Sequence, residues 1–558
     1  MQPYRLISLI FCALLFGCFS LLPVQAQTPK PLGLPVASPP GASTWLLGQP
    51  YGNTVGAYLR GSEWYEAGQR LHFGMDFSMP CGTPLVAMAD GEVVFADDLG
   101  FGSAPHNLLI RHADAGVIVL YGHLLERPSV QRGQFVTRGQ VVGLSGDPDL
   151  TCNSRPHLHL ELRSLDYVTA YNPVDYIDAD WHTLSLIGSF RSGNFQQDLN
   201  NPRQWMSIDD QPPVAFGGRA LNAYTATYPD WSAGSAPANP PLARAVATPD
   251  DSAWTTRRLT FDGCCAGAWW NPLIPERLYL IDGSTGTRAS IFEWNTRDSD
   301  QPILIAPAPP AHLSPDGSHE IIREGEQTRI TNRLNGAAWL VTTQSALPSF
   351  SADNSRLLWI NTGLVAMPGQ DAPTNEIWIS DADGQNPRMV AAENDLSAQW
   401  LDSSRLMVSR RVGLMTTLGI YDAATGDISI LGAWERLRNV TVSPGGAHLA
   451  FYLSAQADST TNGVYVIETR EGAVAQRLDW FGAWRWRDSE SLFYIPLDLS
   501  ASRHSLFLYN ILTNDARLLI DNGFKVADGD WSVSADGSQL AYLSAEDKTI
   551  WLIEPVAR

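Results

Sequence analysis

Pro156-His157-Leu158-His159-Leu160-Glu161 is the stretch from which the rest of the chain is best read. In a β-strand, residues two or four apart point the same way, so His157 and His159 share a face and can converge on one ion. An earlier His72-x-x-x-Asp76 supplies two further donors at strand spacing. Together they describe a metal site built on strands and suited to zinc.

Around these donors, from about 46 to 180, the apolar segments are short and interrupted by Gly, Asp and Pro. Gly91-Glu92-Val93-Val94-Phe95-Ala96, Asn107 to His112, Gly116 to Tyr121 and Gln140 to Leu144 all have this form. Runs of four to seven such residues are strand signals, and no long helical periodicity competes with them. The region is expected to be an antiparallel β domain. Residues 27–45, with Pro29, Pro31, Pro35, Pro39 and Pro40, have linker composition. Residues 181–250 read as a connector with short β elements, ending in a second Ser/Ala/Pro-rich stretch.

From 251 to 558 a pattern recurs. Turns such as Ser314-Pro315-Asp316-Gly317, Ser351-Ala352-Asp353-Asn354, Ser443-Pro444-Gly445-Gly446 and Ser534-Ala535-Asp536-Gly537 precede alternating strands. Apolar or aromatic strands follow, among them Leu278-Tyr279-Leu280, Ala338-Trp339-Leu340, Ile377-Trp378-Ile379, Val464-Tyr465-Val466 and Ile550-Trp551-Leu552. Recurrence near forty-odd residues fits four-stranded blades, so a six- or seven-bladed β-propeller is expected and the fold class is all-β. The repeats resemble TolB-like propeller repeats. Propellers serve many functions, so this half assigns architecture and leaves its ligand, whether protein or glycan, open.

At 558 residues and 44% hydrophobic, the chain has material for two or three domains. Residues 1–26 read as a secretory signal: Arg5, an apolar run from Leu6 to Leu22, and Val24-Gln25-Ala26 as the cleavage site. An uncleaved anchor and acylation at Cys18 are the alternative readings, and each also places the mature chain outside the cytoplasm, as a secreted, periplasmic or cell-surface protein. No second apolar run is long enough to span a bilayer. The formal charge of -20 becomes -21 without Arg5, which argues against a nucleic-acid partner. Cys12 and Cys18 leave with the signal. Cys81 follows the His72/Asp76 segment and Cys152 precedes His157, so a shared metal would bring these thiols together, and an oxidising compartment favours a disulfide. The adjacent Cys264 and Cys265 are too close to bridge without strain.

A hydrolytic zinc site commonly takes three protein ligands and keeps a fourth position for water. His72, Asp76 and His159 supply two imidazoles and one carboxylate, leaving net positive charge to polarise water and a carbonyl. His157 and His123, the latter in Tyr121-Gly122-His123-Leu124, remain as catalytic candidates for base and oxyanion duties, their division open. His106, His112 and His182 are read as structural, and Tyr121 as core. His312, His319, His448 and His504 lack metal spacing.

His72-Phe73-Gly74-Met75-Asp76, Tyr121-Gly122-His123-Leu124 and His157-Leu158-His159 resemble, in order and spacing, the three signature segments of the lysostaphin-type (LytM-like) zinc metallopeptidases. Gly82-Thr83-Pro84-Leu85-Val86-Ala87 and Gly139-Gln140-Val141-Val142-Gly143 resemble that family's β core. The resemblance covers residues 46 to 175. It implies one zinc ion held by His72, Asp76 and His159, with His123 and His157 as the catalytic pair. It also implies hydrolysis of peptide cross-links or stems of peptidoglycan, and the propeller is read beside it as a binding or positioning module. Alternatives in other classes are a non-catalytic, wall-binding regulator of other hydrolases and a zinc peptidase that cuts a protein. Asp147-Pro148-Asp149-Leu150 departs from the small, glycine-rich residues that the family often has there, which bears on substrate fit.

Overall fold

The computed structural model describes residues 29–54, 56–57, 69–188, 207–218, 237–244, 252–261, 268–282, 290–297, 303–306, 312–363 and 374–556. The signal segment, Cys264 and Cys265 lie outside the described residues.

Eleven short strands make the first body: β1 (Leu46–Leu47), β2 (Met75–Ser78), β3 (Pro84–Val86), β4 (Gly91–Ala96), β5 (Leu108–His112), β6 (Val117–Gly122), β7 (Phe135–Val136), β8 (Val141–Leu144), β9 (His157–Arg163), β10 (Thr169–Tyr171) and β11 (Val214–Ala215). Nine form one antiparallel sheet along the path β1-β2-β9-β6-β5-β4-β7, with β10 and β11 continuing from the far end of β9, while β3 pairs with β8. Alternation divides the faces. Met75, Phe77, Leu158, Leu160, Leu162, Val119 and Tyr121 enter one buried apolar cluster, and His157, His159, Glu161 and Arg163 of β9 therefore stand on the opposite face with Asp76. Tyr121 is fully buried, and its hydroxyl donates to the Val86 carbonyl at 3.1 Å, a core position as expected.

The stretch expected to be a linker departs from that reading over its described part. Leu32 and Val36 are buried in the same cluster, and Leu32 exchanges backbone hydrogen bonds with Tyr176 and Asp178. Proline-rich composition reported the lack of regular structure here, while the two aliphatic side chains supplied the docking. The connector likewise contributes β11 to the peptide-pairing of the sheet.

The second body contains seven four-stranded antiparallel sheets among the described residues, a seven-bladed propeller arrangement. Six blades are sequential, spanning 269–306, 312–342, 349–394, 396–435, 437–477 and 482–524. The seventh is composite: Trp254–Arg258 pairs with Ile550–Pro555, beyond which lie Leu540–Ser544 and Val526–Val533. The repeated turns join first and second strands, held by their Asp side chains; Asp316, Asp353 and Asp536 each accept hydrogen bonds from serines two residues before and after. The aromatic signal matches the third strand in later blades, but Leu278-Tyr279-Leu280 lies on the second strand of its blade and Ala338-Trp339-Leu340 on the fourth. In those blades the third strands are Ser290–Asn295 and Gln327–Asn332, and the latter is too polar to carry the mark.

The bodies are packed together. Leu46 and Ile187 enter a propeller cluster containing Trp484 and Tyr494, and Leu186 enters its neighbour. A one-turn helix, Trp181–Leu184, brings a polar group with it: Thr183 meets His504 at 3.1 Å and Lys525 at 2.7 Å, and Lys525 also pairs with Asp180. His182 lies between Asp209 at 3.0 Å and the fully buried Asp528 at 3.4 Å. Burial opposes charge on this imidazole, but the two carboxylates prevail and raise its pKa to about 9. Since the folded value lies above the unfolded value of about 6.5, this contribution is fully present below pH ~6.5 and is lost as pH rises through about 9. Its ceiling is about 3 kcal/mol at ~1.4 kcal/mol per pKa unit. His182→Gln is expected to lower Tm most near pH 6, with the gap from wild type closing by about pH 9.5; a gap constant with pH would refute the charged pairing.

Candidate metal centre

β2 and β9 pair in a register that sets Asp76 against His159 and Ser78 against His157. His72 reaches the same point from the segment before β2, where it pairs with Gly52 in an isolated bridge. Three donor atoms then face one another: His72 Nε2 is 3.1 Å from His159 Nδ1 and 3.3 Å from Asp76 Oδ1, and the last two are 2.9 Å apart. A tetrahedral ion with bonds of about 2.0–2.1 Å separates its ligands by about 3.3–3.4 Å. The triangle is close to one face of that tetrahedron. His72, Asp76 and His159 form the described residues' one cluster able to hold a metal.

The outward nitrogens fix the tautomers. His72 Nδ1 donates to the Pro50 carbonyl at 2.8 Å, turning the Nε2 lone pair to the centre. His159 Nε2 donates to Glu161 at 3.0 Å, and Glu161 is held by Arg163 Nε at 2.7 Å. Such outer partners orient metal-binding imidazoles and raise their basicity. Burial disfavours charge on His159, yet its hydrogen bonds to Asp76 and Glu161 raise its pKa to about 9. Burial also opposes ionisation of Asp76, and the surrounding histidines hold it well below the usual carboxylate range. Both shifts express a centre that calls for positive charge.

Two more imidazoles border it. His123 follows β6 with φ +55° and lies with its ring centroid 4.9 Å from that of His157 and 5.6 Å from that of His159. Burial and the neighbouring imidazoles push its pKa down to about 3; burial also lowers that of His157, against the pull of Asp76. Each Nδ1 donates to a backbone carbonyl, His123 to Ala104 and His157 to Arg155. Burial thus disfavours the charged form of both rings, against those carbonyls, and with Nδ1 donating, Nε2 is left to accept a proton. The five sequence-selected residues thus meet at one place, whereas His112 is buried against the Asp90 carbonyl and His106 pairs with Asp97.

Glu161, Arg163, Gly74 and the Pro50 carbonyl were missed by the sequence reading. The first two continue the strand alternation that exposed His157 and His159, so their signal was present. Gly74 admits the His159 ring: a Cβ there would lie 2.7 Å from His159 Cε1 and 2.6 Å from the Leu160 carbonyl oxygen. The loop before β9 is organised by buried Asp147, which accepts from Ser154 Oγ at 2.6 Å and from the Arg155 amide at 3.0 Å. Cys81 and Cys152 form a disulfide across 71 residues of chain, as the sequence led us to expect. Loop-closure entropy gives such a link roughly 4 kcal/mol.

An antiparallel sheet with a His/Asp/His centre and two flanking neutral imidazoles defines a metal site of the metallopeptidase type. Residues 70–174 match the model of Peptidase family M23, and the chain carries a domain of that family. The DD-carboxypeptidase/endopeptidase Mpg of Neisseria meningitidis is 41% identical over 95 residues, 17% of this chain and 20% of that protein. The peptidoglycan DD-endopeptidase ShyA of Vibrio cholerae is 40% identical over 91 residues, 16% of this chain and 20% of its own. The catalytic domain of lysostaphin from Staphylococcus simulans has 25% identity, covering 23% of this chain and 90% of that structure, with a TM-score of 0.19. The chain spans about a fifth of the length of the curated relatives it matches.

Glu161→Gln is expected to leave the fold intact while weakening zinc affinity about 10- to 100-fold, measured by competition with a chromophoric chelator. Unchanged affinity would remove Glu161 from the metal's support.

Proposed function

We propose that this chain is a zinc metalloendopeptidase, acting outside the cytoplasm on peptide bonds of peptidoglycan stems or cross-links. The carrying observation is the His72/Asp76/His159 triangle with two neutral imidazoles beside it on one sheet face. Cell-wall chemistry is supported by the names of the M23 relatives, peptidoglycan DD-endopeptidase among them. The Cys81–Cys152 disulfide suits an oxidising compartment. No helix among the described residues is long and apolar enough to cross a membrane.

Two imidazoles and a carboxylate fit one zinc ion, which when bound supplies Lewis acidity toward a carbonyl and acidifies water. His72, Asp76 and His159 would hold it, and the outward hydrogen bonds of the two imidazoles keep their donor nitrogens turned inward. His157 Nε2, 3.7 Å from Asp76 Oδ1, is placed to take a proton from the attacking water. Protonation there gains from the Asp76 carboxylate. His123, its ring centroid 4.9 Å from that of His157, is placed to deliver that proton to the leaving amine. The propeller positions the peptidase through the packed contact between the bodies.

The test is mass analysis of muropeptides released from purified wall, with zinc measured on each protein. Wild type is expected to release new amino groups in a chelator-sensitive way. His159→Ala should lose both metal and activity, whereas His157→Ala should keep zinc and lose about 10²- to 10⁴-fold in rate. Equal release by wild type and His159→Ala would overturn the assignment, and loss of zinc from His157→Ala would overturn the division of roles.

A further inference from the structure

A cleft open to solvent lies where the two bodies meet, lined by residues next in chain to those of the metal centre. On one side are Ser78, two residues beyond Asp76 on the same strand face, and Pro156, which immediately precedes His157. On the other are propeller residues Leu414, Arg436, Arg438 and Tyr452. The walls are fixed to each other: the Ala455 amide donates to the Ala42 carbonyl at 2.7 Å, and Asn462 Nδ2 donates to Ser43 Oγ at 2.9 Å. Beside the cleft, a Cβ added to Gly413 would lie 3.6 Å from the Asn153 carbonyl oxygen, so the loop before β9 also abuts the propeller.

This wall presents two arginines, Arg436 and Arg438. Arg436 forms the single-residue step between two blades, with φ +50°, as Asp395 does with φ +54° between the two blades before it. Its Nε is buried without a hydrogen-bond acceptor; Glu435 Oε1, the carboxylate paired with it, is 3.5 Å away and makes no hydrogen bond to it. Arg438 has no hydrogen bond or ion pair among the described residues, and its charge acts against that of Arg436, with Asp147 acting in the opposite sense. Burial accordingly lowers the Arg436 pKa. A guanidinium with one Nε–H lacking an acceptor, beside a second guanidinium, is matched by a carboxylate, which accepts from planar donors in pairs.

From Asp76 to Ser78 the strand advances about 7 Å, two residues of an extended peptide. A peptide held over the metal and running along β2 reaches the cleft within two or three residues. We propose that Arg436 and Arg438, supplied by the propeller, form a carboxylate-binding subsite for an acidic peptide whose free carboxylate lies two to three residues from the cleaved bond. This rests on the peptidase reading for the identity of the ligand as substrate, while the binding itself is tested separately.

The probes are a soluble cross-linked muropeptide and its counterpart in which that carboxylate is an amide, used with the full zinc-loaded chain. Equilibrium binding to His157→Ala, which slows turnover, should be at least tenfold tighter for the acid than for the amide. Arg436→Gln and Arg438→Gln, each placed in that background, should bring the two affinities within about twofold of each other; if the first does not fold, the second decides. In the otherwise native chain, both substitutions should raise KM for the acid peptide more than they change kcat. Equal binding of acid and amide, or a preference that survives both substitutions, overturns the subsite. Arginine-dependent preference for the acid without cleavage by wild type keeps the subsite and overturns the peptidase reading instead.

Discussion

The pairing of β2 with β9 is the constraint on which the rest depends. Its register places Asp76 opposite His159, and because side chains alternate, that one registration sends the leucines of β9 into the core as it sends the histidines to the other face. A slip of one residue would exchange them, burying imidazoles among aliphatics and exposing Leu158 and Leu160. The hydrophobic effect therefore guards the metal site. The apolar cluster under the sheet is what makes the donor geometry the low-energy arrangement.

On the polar face, charge is arranged in a line. Arg163 neutralises Glu161, Glu161 orients His159, and His159 meets Asp76 beside His72. Burial deprives these groups of water, so each needs its neighbour, and removal of one leaves the next uncompensated. Two of the histidines outside the line behave differently: His123 and His157 use backbone carbonyls as partners, and burial disfavours their charged forms. One sheet face thus holds a strongly polarised set beside a pair able to gain and lose protons.

Much of this was legible because strand alternation is a local code. His157-x-His159, His72-x-x-x-Asp76 and the glycine-bounded runs specify faces without knowledge of the whole fold, and the Asp-centred turns mark blades in the same way. Glu161 and Arg163 obey the code too, but their charges look like a solvated strand end until the sheet's far side is seen to be covered. The Pro50 carbonyl and the space above Gly74 have no local signature, since both depend on chain segments meeting. The same applies to Arg436: a single arginine between two strands acquires meaning only from the docking of the propeller on the peptidase sheet. Composition misled at 29–45, where the prolines describe the backbone and two buried aliphatic side chains decide the packing.

The composite seventh blade introduces an order in time. Arg257 and Glu554, hydrogen-bonded across the seam, are 297 residues apart, so the opening strand is synthesised long before the strand it pairs with. Until then six blades have an unsealed edge, and the loop-closure cost falls on one late event. The peptidase sheet, whose contacts lie almost wholly within its own segment, has no such delay. A chain folding as it emerges therefore builds its peptidase body first, adds the blades on either side of Arg436 in turn, and seals the propeller last.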